Sequence, residues 1–290
     1  MAFTLPRNLA VAASMRGRAH WIATLPATVR SLERRWAIEI GEPYQPGGET
    51  AWVAPARSGS FGEVVLKIAC RHFEADDEAK GLRVWDGEGA VRLLLAEDLD
   101  PSTSALLIVR CVPGAVLAAQ SEREQDLVLS RLLPRLWREP PFTEVFRPLQ
   151  LMCNQWADEA ESVLSSDRPA LDSGLVREGI GLFRSLPASS ERHVLLCTDL
   201  HADNVLAAER EPWLMIDPKP YVGDPTYDLL QHMLNSEKRL MSDPVGLASY
   251  LARLFELDLN RLLLWLFARC VVELPHWRSL ADIARRIAPA

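Results

Sequence analysis

The chain has 290 residues, of which 48% are hydrophobic, and its 39 acidic residues against 32 basic ones give a formal net charge of −7. This length is enough for two domains or two lobes. The acidic balance argues against nucleic acid as the main partner and is compatible with a cationic small molecule. The most hydrophobic segment, residues 262–268, lies between Arg261 and Arg269 and is far too short to span a bilayer, so no membrane association is predicted.

The cysteines and the N-terminal segment indicate the compartment. Five cysteines are widely spaced, odd in number and form no Cys-x-x-Cys pair, which is typical of reduced thiols. The N-terminal segment has only a short apolar stretch between Arg7 and Arg16, so a secretory signal is not predicted. We therefore expect a cytoplasmic protein, and we expect a monomer.

The first part of the chain is predicted to be rich in strands. Apolar residues at helical spacing predict a helix over residues 19–36, and another over residues 74–85. Five strands are predicted, over residues 37–40, 51–54, 64–68, 91–96 and 105–109. Five strands with one inserted helix predict an α+β small lobe over residues 1–109.

After a hinge predicted at residues 110–114, the pattern becomes helical. Helices are predicted over residues 124–137, 149–164, 175–186, 227–234, 245–255 and 259–274. Two short apolar runs interrupt them, residues 205–207 and 213–216, and the polar residues between these runs predict a β-hairpin. The whole pattern predicts an α+β, two-lobed fold, with a small β-rich N-terminal lobe and a larger helical C-terminal lobe over residues 115–290.

Three polar residues frame this hairpin. Asp199 and Asn204 stand five residues apart, and Asp217 follows Asn204 by thirteen residues. If the hairpin is symmetric about Arg210 and Glu211, Asn204 pairs with Asp217, and both lie at its open end. One amide oxygen and one carboxylate suffice for Mg²⁺, which takes its remaining ligands from phosphate and water.

Asp199 precedes the first strand of the hairpin, where it is placed to accept a proton from an alcohol. An Asp, an Asn five residues later and a further Asp are the residues with which kinase-type enzymes position a hydroxyl and hold magnesium on ATP. Asp and Asn are also common turn residues, so this spacing indicates an ATP- and Mg²⁺-dependent phosphotransferase only together with supporting features elsewhere in the chain.

A lysine and a glutamate in the first lobe are predicted to form an ion pair. Lys67 lies in the middle of an apolar strand, and Glu78 shares the inward face of the following helix with Ala75 and Leu82. An acid on a mostly apolar face needs a partner, and in kinases such a pair orients the lysine on the ATP phosphates. Glu74, one turn earlier, is an alternative partner.

The glycine loop over the phosphates is predicted between the first two strands. Residues 58–64 contain two glycines but run directly into the strand of Lys67, so we interpret them as the turn between the second and third strands. The phosphate loop is then placed at residues 41–50, with Gly47 and Gly48 as its flexible members.

Several segments together resemble one known family. They are residues 81–94, residues 110–114, residues 199–214 with Asp199-Leu200-His201, and residues 216–229 with Ile216-Asp217-Pro218 and Gly223-Asp224-Pro225. From about residue 19 onward, the chain resembles the aminoglycoside phosphotransferase branch of the protein-kinase-like fold. It is most similar there to the streptomycin 6-kinase and hydroxyurea phosphotransferase family.

The resemblance implies a role for each candidate residue. Asp199 would be the catalytic base, Asn204 and Asp217 the Mg²⁺ ligands, and Lys67 with Glu78 the binding pair for the ATP phosphates. The backbone from Val109 to Cys111 would contact adenine as the hinge, and Asp224 and Asp228 would be structural, capping the next helix and fixing the loop.

Two positions differ from the family pattern. Cys197 stands two residues before Asp199, where the family usually has a histidine that braces the loop. Lys219 stands after Asp217 and Pro218, where the family tends to carry an acid, and a lysine there is expected to repel a cationic aminoglycoside.

Three functions remain open at this point. The leading one is O-phosphorylation of streptomycin or a related aminoglycoside, which would confer antibiotic resistance. The second keeps the fold and changes the acceptor to another small alcohol, such as hydroxyurea or a metabolite. The third is a nucleotide-binding pseudoenzyme or regulatory module, favoured by Cys197 and the poor glycine loop. The joint presence of Lys67, Asp199, Asn204 and Asp217 disfavours it.

Overall fold

The computed structural model describes residues 3–15, 18–141, 145–166 and 170–289. The chain divides into two compact units, Met1–Gly114 with Ala208–Pro212, and Ala115–Ala207 with Trp213–Ala290. The hairpin turn thus belongs to the first unit, although the sequence suggested the second lobe. Hydrogen bonds account for this: Arg210 donates to the carbonyl of Ala90 at 3.3 Å, and Glu211 accepts from the amide of Gly89 at 3.4 Å.

The first unit is an antiparallel sheet with helices. Its elements are α1 (Arg7–Met15), α2 (Ala19–Arg35), β1 (Ile38–Ile40), β2 (Ala51–Ser58), β3 (Gly62–Cys70), α3 (Glu78–Trp85), β4 (Leu93–Asp100) and β5 (Thr103–Val109). The strand order is β1-β2-β3-β5-β4. The five predicted strands are present, whereas α1 was not predicted.

The predicted helix over residues 74–85 starts later than expected. Phe73–Ala75 forms a short 3-10 turn, and α3 begins at Glu78. Asp76 and Asp77 lie between the two, and aspartate favours turns and helix starts over helix interiors because its side chain competes for backbone hydrogen bonds.

The core of the first unit lies between the sheet and the N-terminal helices. Trp21, Leu25 and Leu32 of α2 are buried in one cluster with apolar residues of the strands, among them Leu66 and Ile68 of β3. Because β3 is central in the sheet, Lys67 is flanked by Val53 on β2 and Leu106 on β5. Lys67 thus has an apolar residue opposite it on each neighbouring strand, and it is buried.

The second unit is mainly helical. Its helices are α4 (Glu122–Leu136), α5 (Leu149–Ser166), α6 (Ser173–Ser185), α7 (Leu229–Asn235), α8 (Glu237–Ser242), α9 (Pro244–Leu254), α10 (Leu259–Val272) and α11 (Leu280–Ile287). Its strands are β6 (Pro113–Val116), β7 (Val194–Leu196), β8 (Val205–Ala208), β9 (Trp213–Met215) and β10 (Tyr221–Gly223), of which β6 begins and β8 ends in residues assigned to the first unit. Strand β7 pairs with β10, and β6, β8 and β9 form a second sheet. Helices α8 and α11 were not predicted.

Aromatic packing joins the helices of this unit. The rings of Phe183, Tyr227 and Trp265 lie 5.1 to 6.3 Å apart, in tilted and edge-on contacts, which stabilise a core beyond the area they bury. The five cysteines are unpaired thiols, as predicted. Within the described residues, no helix is long and apolar enough to cross a membrane.

Candidate active site

The predicted hairpin is present, but its register is shifted by one residue. Val205 pairs with Met215, and the amide of Ile216 donates to the carbonyl of Asn204 at 2.8 Å. The prediction that Asn204 pairs with Asp217 and Val205 with Ile216 is therefore wrong. The connection is centred on Arg210 alone, and an odd-numbered turn changes the register by one residue, as turn length does in any hairpin. Asp217 follows directly after Ile216, beyond the last strand pair.

Hydrogen bonds tie Asn204 to the loop that carries Asp199. The side-chain amide of Asn204 donates to the backbone carbonyl of Asp199 at 3.0 Å. The amide of Asp199 donates to the carbonyl of Cys197 at 2.7 Å. Residues 197–204 thus form one braced loop, and it leads directly into β8.

A buried carboxylate holds the start of this loop. Asp228 accepts hydrogen bonds from the amides of Cys197 and Thr198 and from the indole N–H of Trp137, at 2.7 to 3.1 Å. Burial raises the pKa of Asp228 to about 6, with these donors acting in the opposite direction. The contact with Trp137 joins residues 91 positions apart, and no local sequence signal pointed to it.

Backbone groups of Cys197, rather than its side chain, hold the loop of residues 197–204 in place. Its carbonyl accepts from Asp199 at 2.7 Å and from Lys219 at 3.0 Å, and its amide donates to Asp228. The thiol is fully buried, and burial raises the pKa of Cys197. Because these contacts require no particular side chain, a cysteine can stand here while Asp228 braces the loop.

Two residues of the site have left-handed backbone. Thr198 has φ of +50° and Asp217 has φ of +52°. Such a conformation costs about 1 to 3 kcal/mol for residues other than glycine and persists only where the surroundings impose it. Thr198 is held by Asp228 and by its own hydroxyl, which donates to the carbonyl of Lys219 at 2.6 Å.

Lys219 joins the two carboxylates. Its Nζ lies 2.7 Å from Oδ2 of Asp199 and 3.6 Å from Oδ2 of Asp217. The Lys219 side chain is 14% exposed. Its charge is therefore compensated within the site, and the expectation that it acts as a bare repelling charge on a cationic substrate is revised.

The donors present fit a magnesium ion held on a phosphate. The amide nitrogen of Asn204 is engaged with Asp199, so its oxygen is left for a metal. The carboxylate of Asp217 is 40% exposed. Among the described residues, no group of three or more His, Cys, Asp or Glu side chains could hold a metal. A site with two protein ligands, completed by phosphate and water, suits Mg²⁺.

The predicted ion pair of the first unit is present. Nζ of Lys67 lies 2.7 Å from both carboxylate oxygens of Glu78, and the two side chains are 10% and 7% exposed. Glu78 is thus a carboxylate at hydrogen-bond distance from Lys67, as predicted. Because Glu78 is the first residue of α3, the pair also fixes the start of this helix to β3.

The loop between β1 and β2 contains Gly47 and Gly48, and the turn between β2 and β3 lies where the sequence predicted it. Gly47 has φ of +74°, and a Cβ there would lie 2.5 Å from Cβ of Pro6. A Cβ at Gly48 would meet open space. The side chain of Asn8 donates to the carbonyl of Gly47 at 3.0 Å. The positive φ and the contact with Pro6, which precedes α1, both favour glycine at 47.

The predicted hinge follows β5. The amide of Val109 donates to the carbonyl of Arg92 at 2.9 Å, and that of Arg110 to the carbonyl of Glu63 at 3.2 Å. Cys111 is half-buried, and burial raises the pKa of its thiol to about 11. The first two hinge amides are therefore engaged within their own unit.

Two solved structures show which fold this chain shares. A thermostable mutant of the aminoglycoside phosphotransferase APH(4)-Ia, in ternary complex with ADP and hygromycin B, matches with a TM-score of 0.60 at 16% identity, covering 90% of this chain and 98% of that one. The choline kinase LicA of Streptococcus pneumoniae matches with a TM-score of 0.58 at 12% identity, covering 90% and 96%. The fold is thus the kinase-like α+β fold of these phosphotransferases.

Sequence comparison identifies the family. A family model described as aminoglycoside/hydroxyurea antibiotic resistance kinase matches residues 35–279. The streptomycin 6-kinase of Streptomyces griseus is 34% identical over 283 residues, covering 94% of this chain and 89% of that one. The streptomycin 6-kinase of Streptomyces glaucescens is 35% identical over 210 residues, covering 72% and 66%, and the hydroxyurea phosphotransferase of Kitasatospora aureofaciens is 34% identical over 223 residues, covering 74% and 62%. The chain belongs to the aminoglycoside/hydroxyurea antibiotic resistance kinase family.

Proposed function

We propose that this protein transfers the γ-phosphoryl group of ATP to a hydroxyl of streptomycin or a related aminoglycoside. The observation that carries the proposal is the hydrogen-bonded connection of the Asp199 loop, Asn204 and the strand leading to Asp217. These are the residue types that phosphoryl transfer to an alcohol needs in one place, namely a proton acceptor and two oxygen ligands for a metal.

The chain's own residues have distinct tasks in this reaction. Asp199 accepts the proton of the attacking hydroxyl. Asn204 and Asp217 would hold Mg²⁺, which would neutralise charge on the phosphates. Lys67, oriented by Glu78, contributes a fixed cation to the phosphates.

The adenine is assigned to the hinge. Because the amides of Val109 and Arg110 are engaged within the first unit, the amide of Cys111 is the hinge donor that we assign to the base. Gly47 and Gly48 are assigned to the phosphates, with Gly48 as the position where no packing explains the glycine.

The acceptor is assigned from the relatives. Two relatives are named streptomycin 6-kinases and a third hydroxyurea phosphotransferase, and the net charge of −7 suits a cationic acceptor better than a neutral one. Hydroxyurea or another small alcohol is the second candidate.

The test is phosphate transfer from ATP to a panel of acceptors, with Mg²⁺ present or chelated. We expect Mg²⁺-dependent phosphorylation of streptomycin. If hydroxyurea or a simple alcohol is phosphorylated and streptomycin is not, the proposed acceptor is wrong and the proposed reaction stands. ATP binding without transfer to any acceptor in the panel would identify a pseudoenzyme.

A further inference from the structure

Lys219 contacts both carboxylates that the proposed reaction uses, and nothing above requires a third charged group there. Its ammonium lies 2.7 Å from Asp199 and 3.6 Å from Asp217. Ordering a lysine side chain costs rotamer freedom. Attraction to two carboxylates offsets that cost and holds the ammonium between the proposed base and the proposed metal ligand.

The charges of the site explain what this ammonium can do. A Mg²⁺ ion held by Asn204 and Asp217 would compensate the charge of the Asp217 carboxylate but would leave that of Asp199 to another cation. A phosphoryl group in transfer carries negative charge on its equatorial oxygens, and Asp199 must approach this group to take the proton of the attacking hydroxyl. Like charges repel each other, and a cation that can reach both Asp199 and the phosphoryl group reduces this repulsion.

We propose that Lys219 is a further catalytic residue, whose ammonium moves from Asp199 to the γ-phosphate when ATP and Mg²⁺ bind. This inference rests on the proposed function. A bond then forms between the acceptor oxygen and the γ-phosphorus, while the bond from the γ-phosphorus to the β,γ-bridging oxygen breaks and leaves its electron pair on ADP. The hydroxyl proton goes to Oδ2 of Asp199, which Lys219 has vacated. Lys219 keeps its own protons throughout.

The geometry separates this role from a structural one. The loop of Lys219 is fixed by backbone groups: its amide donates to Cys197, and its carbonyl accepts from the hydroxyl of Thr198. Replacing the side chain leaves both bonds in place, so Lys219→Met is expected to fold. ADP has no γ-phosphate, so the ammonium should remain on Asp199 in the ADP complex.

The experiment compares two nucleotides in calorimetric titrations with Mg²⁺ present. We expect Lys219→Met to lose affinity for AMP-PNP by about 10- to 100-fold, the equivalent of one charge-assisted hydrogen bond. Its affinity for ADP should stay within about threefold of the parent value, because that complex lacks the contact. The rate of phosphate transfer should fall by about 10²- to 10³-fold, as on removal of one preorganised donor.

Two variants control the measurement. Lys238→Met removes an exposed lysine of the same unit and should leave both affinities unchanged. Lys219→Arg keeps the charge and should restore most of the preference for AMP-PNP. If Lys219→Met loses affinity for AMP-PNP and ADP by the same factor, or loses affinity for neither, the proposed contact with the γ-phosphate is overturned. This holds even where the parent protein transfers phosphate. If the parent binds neither nucleotide, the proposed function fails as well.

Discussion

Lys67 and Glu78 form an almost fully buried ion pair in the first unit, with Nζ of Lys67 2.7 Å from each carboxylate oxygen. Breaking a buried pair on one side leaves an uncompensated charge, which costs about 3 to 5 kcal/mol. We therefore predict that Lys67→Met lowers the melting temperature and weakens ATP binding together.

The double variant Lys67→Met with Glu78→Gln separates these two effects. Without the buried charge of Glu78, the melting temperature should recover, while ATP binding should not, because the cation is still missing. Thermal unfolding and ATP titration measure both quantities. A single variant with unchanged ATP affinity would assign Lys67 to structure alone.

Asp199→Ala should abolish most phosphate transfer while ATP binding is retained. A positioned base contributes about 10²- to 10⁴-fold to the rate. Asp203→Ala is the matched control, since it removes a carboxylate of the same loop that is 67% exposed, and it should transfer phosphate normally. A rate for Asp199→Ala within about threefold of the parent rate would refute the assignment of the base.

The two proposed metal ligands should differ in their effect on the magnesium requirement. Asp217→Asn removes a charged ligand and should shift the Mg²⁺ dependence of the rate steeply to higher concentration, whereas Asn204→Ala removes a neutral oxygen and should shift it less. Titration of the rate against Mg²⁺ at saturating ATP measures both shifts. Identical curves for both variants and the parent would mean that neither residue binds the ion.

The sequence predicted this site where the signals are local. Lys67 and Glu78 are eleven residues apart and lie on adjacent elements, so strand and helix periodicity sufficed to pair them. The spacing of Asp199 and Asn204 placed both on one loop, and the structure brings them to a hydrogen bond of 3.0 Å. Apolar patterning likewise predicted the five strands of the first sheet.

Long-range side-chain contacts were not predictable in the same way. Trp137 and Asp228 are 91 residues apart, and their contact depends on how α4 packs. The hairpin register failed because it depends on turn length, which the polar turn sequence does not specify. Lys219 was interpreted through its charge alone, whereas its effect depends on two carboxylates brought to it by separate loops.

Asp228→Asn should destabilise the loop of residues 197–204 and change how stability depends on pH. The carboxylate accepts from three N–H donors, whereas an amide turns its own donor group toward one of them, so the variant should melt lower and transfer phosphate more slowly. Burial raises the pKa of Asp228 to about 6 from an ordinary value of 3.8. The folded state therefore holds this proton more tightly than the unfolded state.

It follows that the contribution of Asp228 to stability is greatest below about pH 4 and declines as the pH rises to about 6, by about 3 kcal/mol for a shift of this size. The Asp228→Asn variant has no carboxyl group to titrate at this position. The difference in melting temperature between parent and variant should accordingly narrow from pH 4 to pH 6, and thermal unfolding at several pH values measures it. A constant difference would show that Asp228 has the same pKa folded and unfolded.

The last prediction concerns the charge of the acceptor. If the acceptor is a cationic aminoglycoside, its attraction to this acidic protein should weaken as salt screens it, since the Debye length falls from about 10 Å at 0.1 M to about 3 Å at 1 M. The KM for streptomycin should then rise with salt concentration, while the KM for neutral hydroxyurea, where it is a substrate, should stay flat. Lys219→Glu should not improve streptomycin binding, because it places a third carboxylate beside Asp199 and Asp217, and it should instead abolish transfer to every acceptor. Steady-state kinetics over a salt series measure all of these, and an equal salt response for the charged and the neutral acceptor would exclude electrostatic recognition of the antibiotic.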